Sequence, residues 1–357
     1  MKNIILSLLL ILSVAACDNK QEQIPTNEKP TIKIGAILPL TGSNALVGQP
    51  IKGALEIAIR KANIQDNKYQ YEVIFEDSQT NSARTSTAMN KLINIDKVDA
   101  IISIFSNIGH IVSQSAEKNN IIHIALASDP NVAKGKYNFN NWTMPEFESK
   151  KMVENIKARG YKNVVLVALN QEGTIAVANA IGQDLDRINI QNRIMIINPG
   201  SRDMRLDIKK IQNARVDLYI SVLYNPEGPI FIKQLRESGD NTDITAIEAF
   251  NFIEDKAIIE GQWFVDAGIK DINVVKEITE HNNSEVTYGV GNMYDNIMLI
   301  TKAFEKAEAK KEAVDELLKI KTYDGVTGHL VQDENGIFQS EAVVKKIING
   351  KIVVIEE

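Results

Sequence analysis

The sequence of 357 residues has one cysteine, four histidines and no run of basic residues. Because Cys17 has no second cysteine to pair with, the chain cannot form an internal disulfide, and its cores must rely on apolar burial. Four scattered histidines and one cysteine offer few ligands for a zinc site. The charge is mildly acidic, with 40 lysines and arginines against 46 aspartates and glutamates, which argues against a nucleic-acid partner.

Motifs of common enzyme classes are also missing. The run Gly289-Val290-Gly291 lacks the third glycine of a dinucleotide-binding motif and follows no predicted strand. The chain has neither a phosphate-binding P-loop nor a Gly-x-Ser-x-Gly nucleophile elbow. His123 lies inside an apolar run, which favours a hydrogen-bonded core histidine over a metal ligand. We therefore expect no catalytic residue, no cofactor and no metal site.

The apolar run at residues 4–14 is too short to span a membrane. It follows Lys2 and has the length expected for the apolar core of a signal peptide. It leads into Val14-Ala15-Ala16-Cys17, which resembles a bacterial lipobox. This resemblance implies cleavage before Cys17 and lipidation of its thiol. The alternative is an ordinary secretory signal with an incidental cysteine.

These features predict a lipoprotein signal peptide at residues 1–16 and a flexible tether at residues 17–30, which are polar and rich in amides and charges. Lipid chains on Cys17 would hold the protein on the periplasmic side of a membrane without a spanning helix. Asp18 resembles the inner-membrane retention signal of enteric lipoproteins, so the inner membrane is the expected location.

Residues 31–63 predict a strand, a loop and a helix in succession. The apolar, β-branched run of residues 32–38 ends at Pro39, as expected of a buried strand. Pro50 is tolerated in a first helical turn, and apolar residues at helical spacing follow it. Such a unit begins a doubly wound α/β domain, in which ligands meet the loops at the carboxyl ends of the strands. The loop of residues 40–48 is therefore the first candidate site.

The same alternation continues along the chain and then restarts. Further strands are predicted at residues 71–75, 100–104, 121–125, 164–169, 194–197, 218–223, 244–248 and 263–265. Because strands that alternate with helices form parallel sheets, the pattern predicts an α/β protein of two doubly wound parallel-sheet lobes with a ligand cleft between them. Residues 322–357 carry glycine and asparagine turn signals between short strands.

Motifs near both ends of this region resemble those of a known family. They are Ile34-Gly35-x-x-x-Pro39-Leu40-Thr41-Gly42 and Tyr323-Asp324-Gly325-Val326-Thr327-Gly328-x-Leu330. Both resemble motifs of the type I periplasmic binding proteins of the Leu/Ile/Val family, although His329 replaces the usual proline. The resemblance implies a chain that crosses between lobes three times, with residues 31–146 and 268–338 in lobe 1 and residues 147–267 and 339–357 in lobe 2.

Short polar loops follow the predicted strands of lobe 1. Ser106 and Asn107 stand at a helix start, where free amides favour a carboxylate, although either could simply be an N-cap. The resemblance implies that these loops bind the α-carboxylate and α-ammonium of an amino acid, that Glu248 pairs with the ammonium, and that Tyr224 closes over the ligand. A surface glutamate and a packed tyrosine are the alternatives. The predicted ligand-binding residues are Leu40, Thr41, Ser106, Asn107, Ala127, Ser128, Asp129, Glu172, Tyr224 and Glu248.

Two of these positions depart from the family pattern. The usual Tyr-Gly of lobe 2 is here Glu172-Gly173, and the usual Ser/Ala-Ala-Thr loop is Ala127-Ser128-Asp129. Two added carboxylates near the cleft favour a polar or cationic ligand over a purely aliphatic one, unless they point outward.

The leading hypothesis is a lipid-anchored solute-binding protein of an ABC importer, which binds an amino acid or a related small polar solute as the two lobes close. The expected partners are this ligand, an ABC permease and the membrane. The alternative keeps the fold but gives it a regulatory or scaffolding role in the cell envelope, as in the lipoprotein activators of cell-wall synthases that resemble this family.

Overall fold

A computed structural model of the chain describes residues 29–212, 215–284 and 286–356. The predicted signal peptide, the lipidation site Cys17 and residues 18–28 of the predicted tether lie outside these described residues. Among the helices in the described ranges, none combines the length and the apolar character needed to cross a membrane.

Strands and helices alternate along most of the described chain. The strands are β1 (Thr31–Leu38), β2 (Gln70–Asp77), β3 (Ala100–Ile104), β4 (Ile122–Leu126), β5 (Asn138–Asn141), β6 (Asn163–Leu169), β7 (Gln191–Ile197), β8 (Leu218–Val222), β9 (Asp243–Ala246), β10 (Trp263–Ala267), β11 (Thr322–Gly325), β12 (Gly328–Gln332), β13 (Ile337–Gln339), β14 (Ala342–Ile348) and β15 (Lys351–Glu356). The α-helices are α1 (Ala45–Ile64), α2 (Ser82–Lys91), α3 (Ser106–Asn119), α4 (Pro145–Arg159), α5 (Glu172–Arg187), α6 (Arg205–Gln212), α7 (Glu227–Glu237), α8 (Ile272–Asn282), α9 (Val290–Lys306) and α10 (Ala313–Leu318).

The first sheet has eight strands in the order β11-β12-β13-β5-β4-β3-β1-β2. Neighbouring strands from β13 to β2 run parallel, whereas β11 and β12 are joined in antiparallel fashion. Apolar residues of α1 and α9 pack on one face of this sheet, and those of α2 and α3 pack on the other. Helices on both faces explain why most residues of β1 are buried, as predicted for this strand.

The second sheet is assembled from two parts. Strands β7-β6-β8-β9 form a parallel four-stranded part, and β10-β14-β15 form an antiparallel three-stranded part. A parallel bridge between Ile247 and Val265 connects them. Alternate residues of β6 contribute to two separate apolar clusters, one on each face of the sheet.

The two sheets and their helices form two lobes, and the chain passes between them after β5, after β10 and after β13. We propose that residues 31–144 and 268–339 form lobe 1 and that residues 145–267 and 340–356 form lobe 2. These bounds differ slightly from the predicted ones. Helix α4 of lobe 2 already begins at Pro145, and Gln339 still pairs with Val331 in the first sheet.

One local prediction is corrected by the structure, and one strand was not predicted. Helix α1 begins at Ala45 rather than at Pro50, because Val47 and Gly48 donate backbone hydrogen bonds to the Asn44 carbonyl and start the helix earlier. The loop after β1 is correspondingly shorter. Strand β5 lies just after a region that was expected to be only an extended loop.

Candidate functional site

A cavity of about 340 Å³ lies between the two lobes. Its wall is formed by the segments that follow β1 to β4 in lobe 1 and β6 to β8 in lobe 2, together with Tyr288. These are the carboxyl ends of parallel strands, the expected place for a ligand in doubly wound sheets, and the volume suits a small molecule. The predicted site residues that line the cavity are Ser106, Asn107, Ala127, Ser128, Glu172 and Tyr224.

Helix α3 begins at the cavity wall without a side-chain cap. Phe105 occupies its N-cap position with φ of 71°, a left-handed conformation that is costly for a residue other than glycine and is often found at functional sites. Phe105 offers no side-chain acceptor, and the Ser106 hydroxyl oxygen accepts a hydrogen bond from the Asp129 amide at 3.1 Å instead. Ser106 and Asn107 are therefore helical residues rather than N-caps. Their backbone amides, at the positive end of the helix dipole, suit a carboxylate.

Leu40 and Thr41 are held away from the cavity by Asp77. The Asp77 carboxylate accepts hydrogen bonds from the Leu40 amide at 2.9 Å and from the Thr41 hydroxyl at 2.5 Å. Desolvation opposes ionisation of Asp77, but these hydrogen bonds outweigh it and lower its pKa. Contrary to expectation, the structure does not place Leu40 and Thr41 in the wall. The residues of this loop that line the cavity are Ser43 and Asn44.

The two carboxylates that depart from the family pattern meet at His110. The Nε2 atom of His110 lies 3.0 Å from Asp129 Oδ2 and 3.4 Å from Glu172 Oε2. Despite desolvation, hydrogen bonds from Asn131 and His110 lower the pKa of Asp129. Because Asp129 points to His110, it does not line the cavity, whereas Glu172 lies on the rim with its side chain 60% exposed.

This cluster connects lobe 1, which contributes His110 and Asp129, with lobe 2, which contributes Glu172. The three ligand atoms lie within 4.8 Å of one another, so the residue types and spacing could accommodate a metal ion. Their contacts with one another already account for the arrangement, and we assign the cluster as a contact between the lobes.

Glu248 lies directly behind the wall and is 1% exposed. Its Oε1 atom accepts a hydrogen bond from Trp142 Nε1 at 2.5 Å, and its Oε2 atom accepts one from each of the hydroxyls of Tyr224 and Tyr288 at 3.2 Å. The Ser128 hydroxyl is 3.5 Å from Oε1. The alternative of a surface-exposed glutamate is therefore wrong. Glu248 does not itself line the cavity, but Tyr224, Tyr288 and Ser128 do.

Burial raises the pKa of Glu248 to about 7, and the nearby Asp266 carboxylate adds to this effect. The hydrogen bonds that Glu248 accepts act in the opposite direction. At neutral pH the carboxyl group of Glu248 is therefore near the midpoint of its titration, and a nearby cation would favour its ionised form.

Several site residues were not predicted from the sequence. Tyr288 was expected to begin a helix, but it precedes α9 and reaches the cavity with its ring 4.7 Å, between centroids, from that of Phe252. Arg202 and Gln79 also line the cavity. Trp142 follows the unpredicted strand β5. The polar loop after β7 was the local signal for Arg202, and the polar run of residues 77–82 after the second predicted strand was the signal for Gln79. Tyr288 and Trp142 had none.

A family model described as a periplasmic binding protein matches residues 31–351. A curated relative is the leucine-, isoleucine-, valine-, threonine- and alanine-binding protein of Pseudomonas aeruginosa, which is 24% identical over 333 residues, covering 86% of this chain and 87% of the relative.

Solved structures agree on the fold. A leucine-binding protein, LivK, of Thermotoga maritima matches with a TM-score of 0.84 and 22% identity, covering 91% of this chain and 97% of that chain. LivJ of Streptococcus pneumoniae, solved in complex with isoleucine, matches with a TM-score of 0.82 and 20% identity, covering 92% and 100% of the two chains. These likenesses confirm the predicted two-lobed α/β fold.

Members of the matched family are solute-binding proteins rather than enzymes, which confirms the expectation of a non-enzymatic binding function. The chain belongs to the type I periplasmic binding proteins, in the branched-chain amino acid family that its sequence motifs resemble.

Proposed function

We propose that this protein binds an α-amino acid, or a similar small amine-carboxylate, in the cavity between its lobes. The observation that carries the proposal is the opposed polarity of the cavity. Lobe 1 contributes the uncapped positive end of α3, and the acidic side chain of Glu248 from lobe 2 lies behind the facing wall. A zwitterion with its two charges one carbon apart suits this arrangement.

The carboxylate of the ligand is expected to accept hydrogen bonds from the first-turn amides of α3 and from the hydroxyl of Ser128. The ammonium is expected to contact the oxygen atoms of Tyr224 and Ser128, with the Glu248 carboxylate immediately behind them. Because both lobes contribute to these contacts, the bound ligand stabilises the closed form.

The side chain of the ligand would lie among more polar residues than a purely aliphatic amino acid requires. Gln79, Thr80, Arg202 and Glu172 all line the cavity. The name of the Pseudomonas relative includes threonine and alanine beside leucine, isoleucine and valine, so a relative with a similar fold accepts small and hydroxylated side chains. We therefore propose a small or polar amino acid in preference to a large aliphatic one.

We further propose that the mature protein is anchored to the periplasmic face of the inner membrane by lipid on Cys17 and delivers its ligand to an ABC permease. The lipobox-like run before Cys17 supports the anchor, and the family supports the importer. The mass of the N-terminal peptide of the membrane-extracted protein tests the lipid. An unmodified thiol would exclude it.

The ligand proposal is tested by calorimetry with the twenty common amino acids and with benzoate as a carboxylate without an amine. Benzoate is an informative comparison because a structural neighbour from R. palustris was solved with it. We expect an amino acid to bind and Glu248→Gln to weaken it on the order of 100-fold, since the ammonium loses its charge partner.

Glu254→Gln is the matched control, because Glu254 is exposed in the same lobe and lies outside the cavity wall. Equal affinities of Glu248→Gln and Glu254→Gln would exclude the assigned role. Benzoate binding without any amino acid binding would exclude the amine. Failure of every ligand in the panel would instead favour the regulatory or scaffolding alternative.

A further inference from the structure

Glu148, in the first turn of α4, is a buried acid whose carboxyl group receives no hydrogen bond. Its side chain is 0% exposed. Neither carboxyl oxygen has a hydrogen-bond partner that could stabilise a negative charge among the residues the structure describes. A buried carboxylate without donors or a cation is costly, so this pattern favours the neutral acid.

The neighbour that Glu148 contacts is another carboxyl group, that of Glu248. Two carboxylates within hydrogen-bond reach cannot both be ionised, so the pair must hold a proton. The donors are distributed unequally between them. Trp142, Tyr224 and Tyr288 all donate to Glu248, and none of them donates to Glu148. The negative charge therefore belongs on Glu248 and the proton on Glu148.

The other charged groups nearby do not change this assignment. Asp266 is paired with Lys345 at 2.6 Å, with both side chains 4% exposed, so this lysine is already neutralised. Asn251 donates a further hydrogen bond to Asp266 at 2.9 Å. Glu146, also in the first turn of α4, is exposed. Its negative charge adds only weakly to the potential at Glu148.

We propose that Glu148 is a positioning residue of the binding site: it stays protonated, donates its hydrogen to the Glu248 carboxylate, and leaves that carboxylate as the negative charge directed at the cleft. This role rests on the proposed amine-binding function. A carboxylic acid can serve as such a donor only while it remains neutral, and complete burial beside an acidic neighbour keeps it neutral.

A pH dependence of binding follows from this arrangement. Burial raises the pKa of Glu248 to about 7, so Glu248 takes up a proton as the pH falls below that value. An ammonium ligand needs the ionised form. The affinity for an amine ligand should therefore fall about tenfold per pH unit below this pKa and be constant above it.

Protonation can be measured without any ligand, by ¹³C NMR of the mature protein labelled at the glutamate carboxyl carbons. The signal lost in Glu148→Gln identifies Glu148, and the signal lost in Glu248→Gln identifies Glu248. We expect the Glu148 signal to remain that of a protonated acid from mildly acidic to mildly alkaline pH, while Glu248 titrates near neutrality. An ionised Glu148 at neutral pH would overturn the proposal.

The positioning role is measured by calorimetry with the amino acid that binds wild-type protein, using L-threonine as the first probe. In Glu148→Gln the amide N–H replaces the acid O–H, so affinity should be retained. In Glu148→Leu the donor is lost, and affinity should fall about tenfold or more. Equal losses in both variants would overturn the proposal. If no amino acid binds, the amine-binding function fails, whereas the NMR titration still decides the protonation of Glu148.

Discussion

His123 is fully buried in β4, with a hydrogen-bond partner at each ring nitrogen. Its Nε2 atom lies 2.7 Å from the Ser103 hydroxyl, and its Nδ1 atom lies 3.0 Å from Asn138 Oδ1. Both partners belong to the first sheet, on strands β3 and β5. Its apolar neighbours in the sequence predicted such a core histidine, and the hydrogen bonds confirm it.

This histidine should make the protein less stable in acid. Desolvation lowers the pKa of His123 from 6.5 to about 4, so below pH 6.5 the unfolded chain binds a proton here that the folded chain does not. Stability is thus unaffected above pH 6.5 and is lost progressively between that pH and about pH 4, by about 3 kcal/mol in total. We expect His123→Gln to remove this contribution to the pH dependence of the unfolding free energy, as measured by urea denaturation.

Ser103→Ala is the control for His123→Gln. It deletes one hydrogen bond of the same imidazole but leaves a histidine that can titrate, so its pH slope should resemble that of the wild type. If His123→Gln and Ser103→Ala gave the same slope, the acid sensitivity would have another origin.

Only some site residues could be predicted from local sequence. Ser106 and Ser128 follow apolar strands directly, and this placement alone brings them to the carboxyl edge of the sheet. Glu148 and Trp142 had no such signal, because they meet Glu248 from positions about a hundred residues away in the chain. The contact of Glu148 with Glu248 depends on how distant segments of lobe 2 fold together, and that of Trp142 depends on how the two lobes meet. No local pattern encodes either one.

Strand β5 shows the same limit for whole elements. Strands β1 and β6 were predicted because apolar, mostly β-branched side chains dominate them. The four residues of β5 are Asn-Phe-Asn-Asn, all buried, and three of them are asparagines. The Asn140 side chain bonds the Ala127 backbone, and that of Asn141 bonds Asn296. Burial is possible here because distant partners satisfy the amides, and their positions cannot be read from the strand itself.

The family motif in the β11–β12 hairpin has a packing explanation in α9. Asp295 of α9 accepts hydrogen bonds from the Val326 amide at 2.9 Å, the Thr327 amide at 3.1 Å and the Thr327 hydroxyl at 2.9 Å. A Cβ atom at Gly325 would lie 2.4 Å from an oxygen of this carboxylate. Glycine therefore lets the hairpin approach the helix closely enough for these bonds.

Substituting this glycine should detach the hairpin from α9. We expect Gly325→Ala to lower the free energy of unfolding by about 2 kcal/mol, because the added methyl group overpacks a buried, fully bonded site. Urea denaturation measures the change. Thr322→Ala, at an exposed position of the same strand, should change stability by less than about 0.5 kcal/mol. A similar effect of both substitutions would contradict the proposed packing.

At the scale of the molecule, the two lobes are held in contact by groups on both sides of the cavity. His110 and Glu172 meet at the rim, and Glu248 is hydrogen-bonded to Trp142 of the other lobe behind the wall. Two lobes were predicted from the repeated alternation of strands and helices. The return of the chain to the first sheet through β13 was implied only by the family motifs, because nothing in the composition separates the residues of one lobe from those of the other.

A close approach of the two lobes at Gly173 provides a test of closure. A Cβ atom at Gly173 of α5 would lie 2.7 Å from the Ser106 hydroxyl oxygen of the other lobe, which cannot rotate without losing its hydrogen bond from the Asp129 amide. Gly173→Ala should thus penalise the closed form by about 1–3 kcal/mol, which corresponds to at least several-fold weaker ligand binding.

Small-angle scattering should show a larger radius of gyration for Gly173→Ala, while the unfolding of each lobe stays unchanged because the clash exists only across the cleft. Gly182→Ala is the matched control, since the same substitution in the same helix meets Asn192 of its own lobe at 3.3 Å. Combining Gly173→Ala with Ser106→Gly removes the clashing hydroxyl and should restore the compact form. If Gly173→Ala and Gly182→Ala gave the same radius and the same ligand affinity, contact between these two residues would not limit closure, and the rim contact of His110 with Glu172 would be the next element to alter.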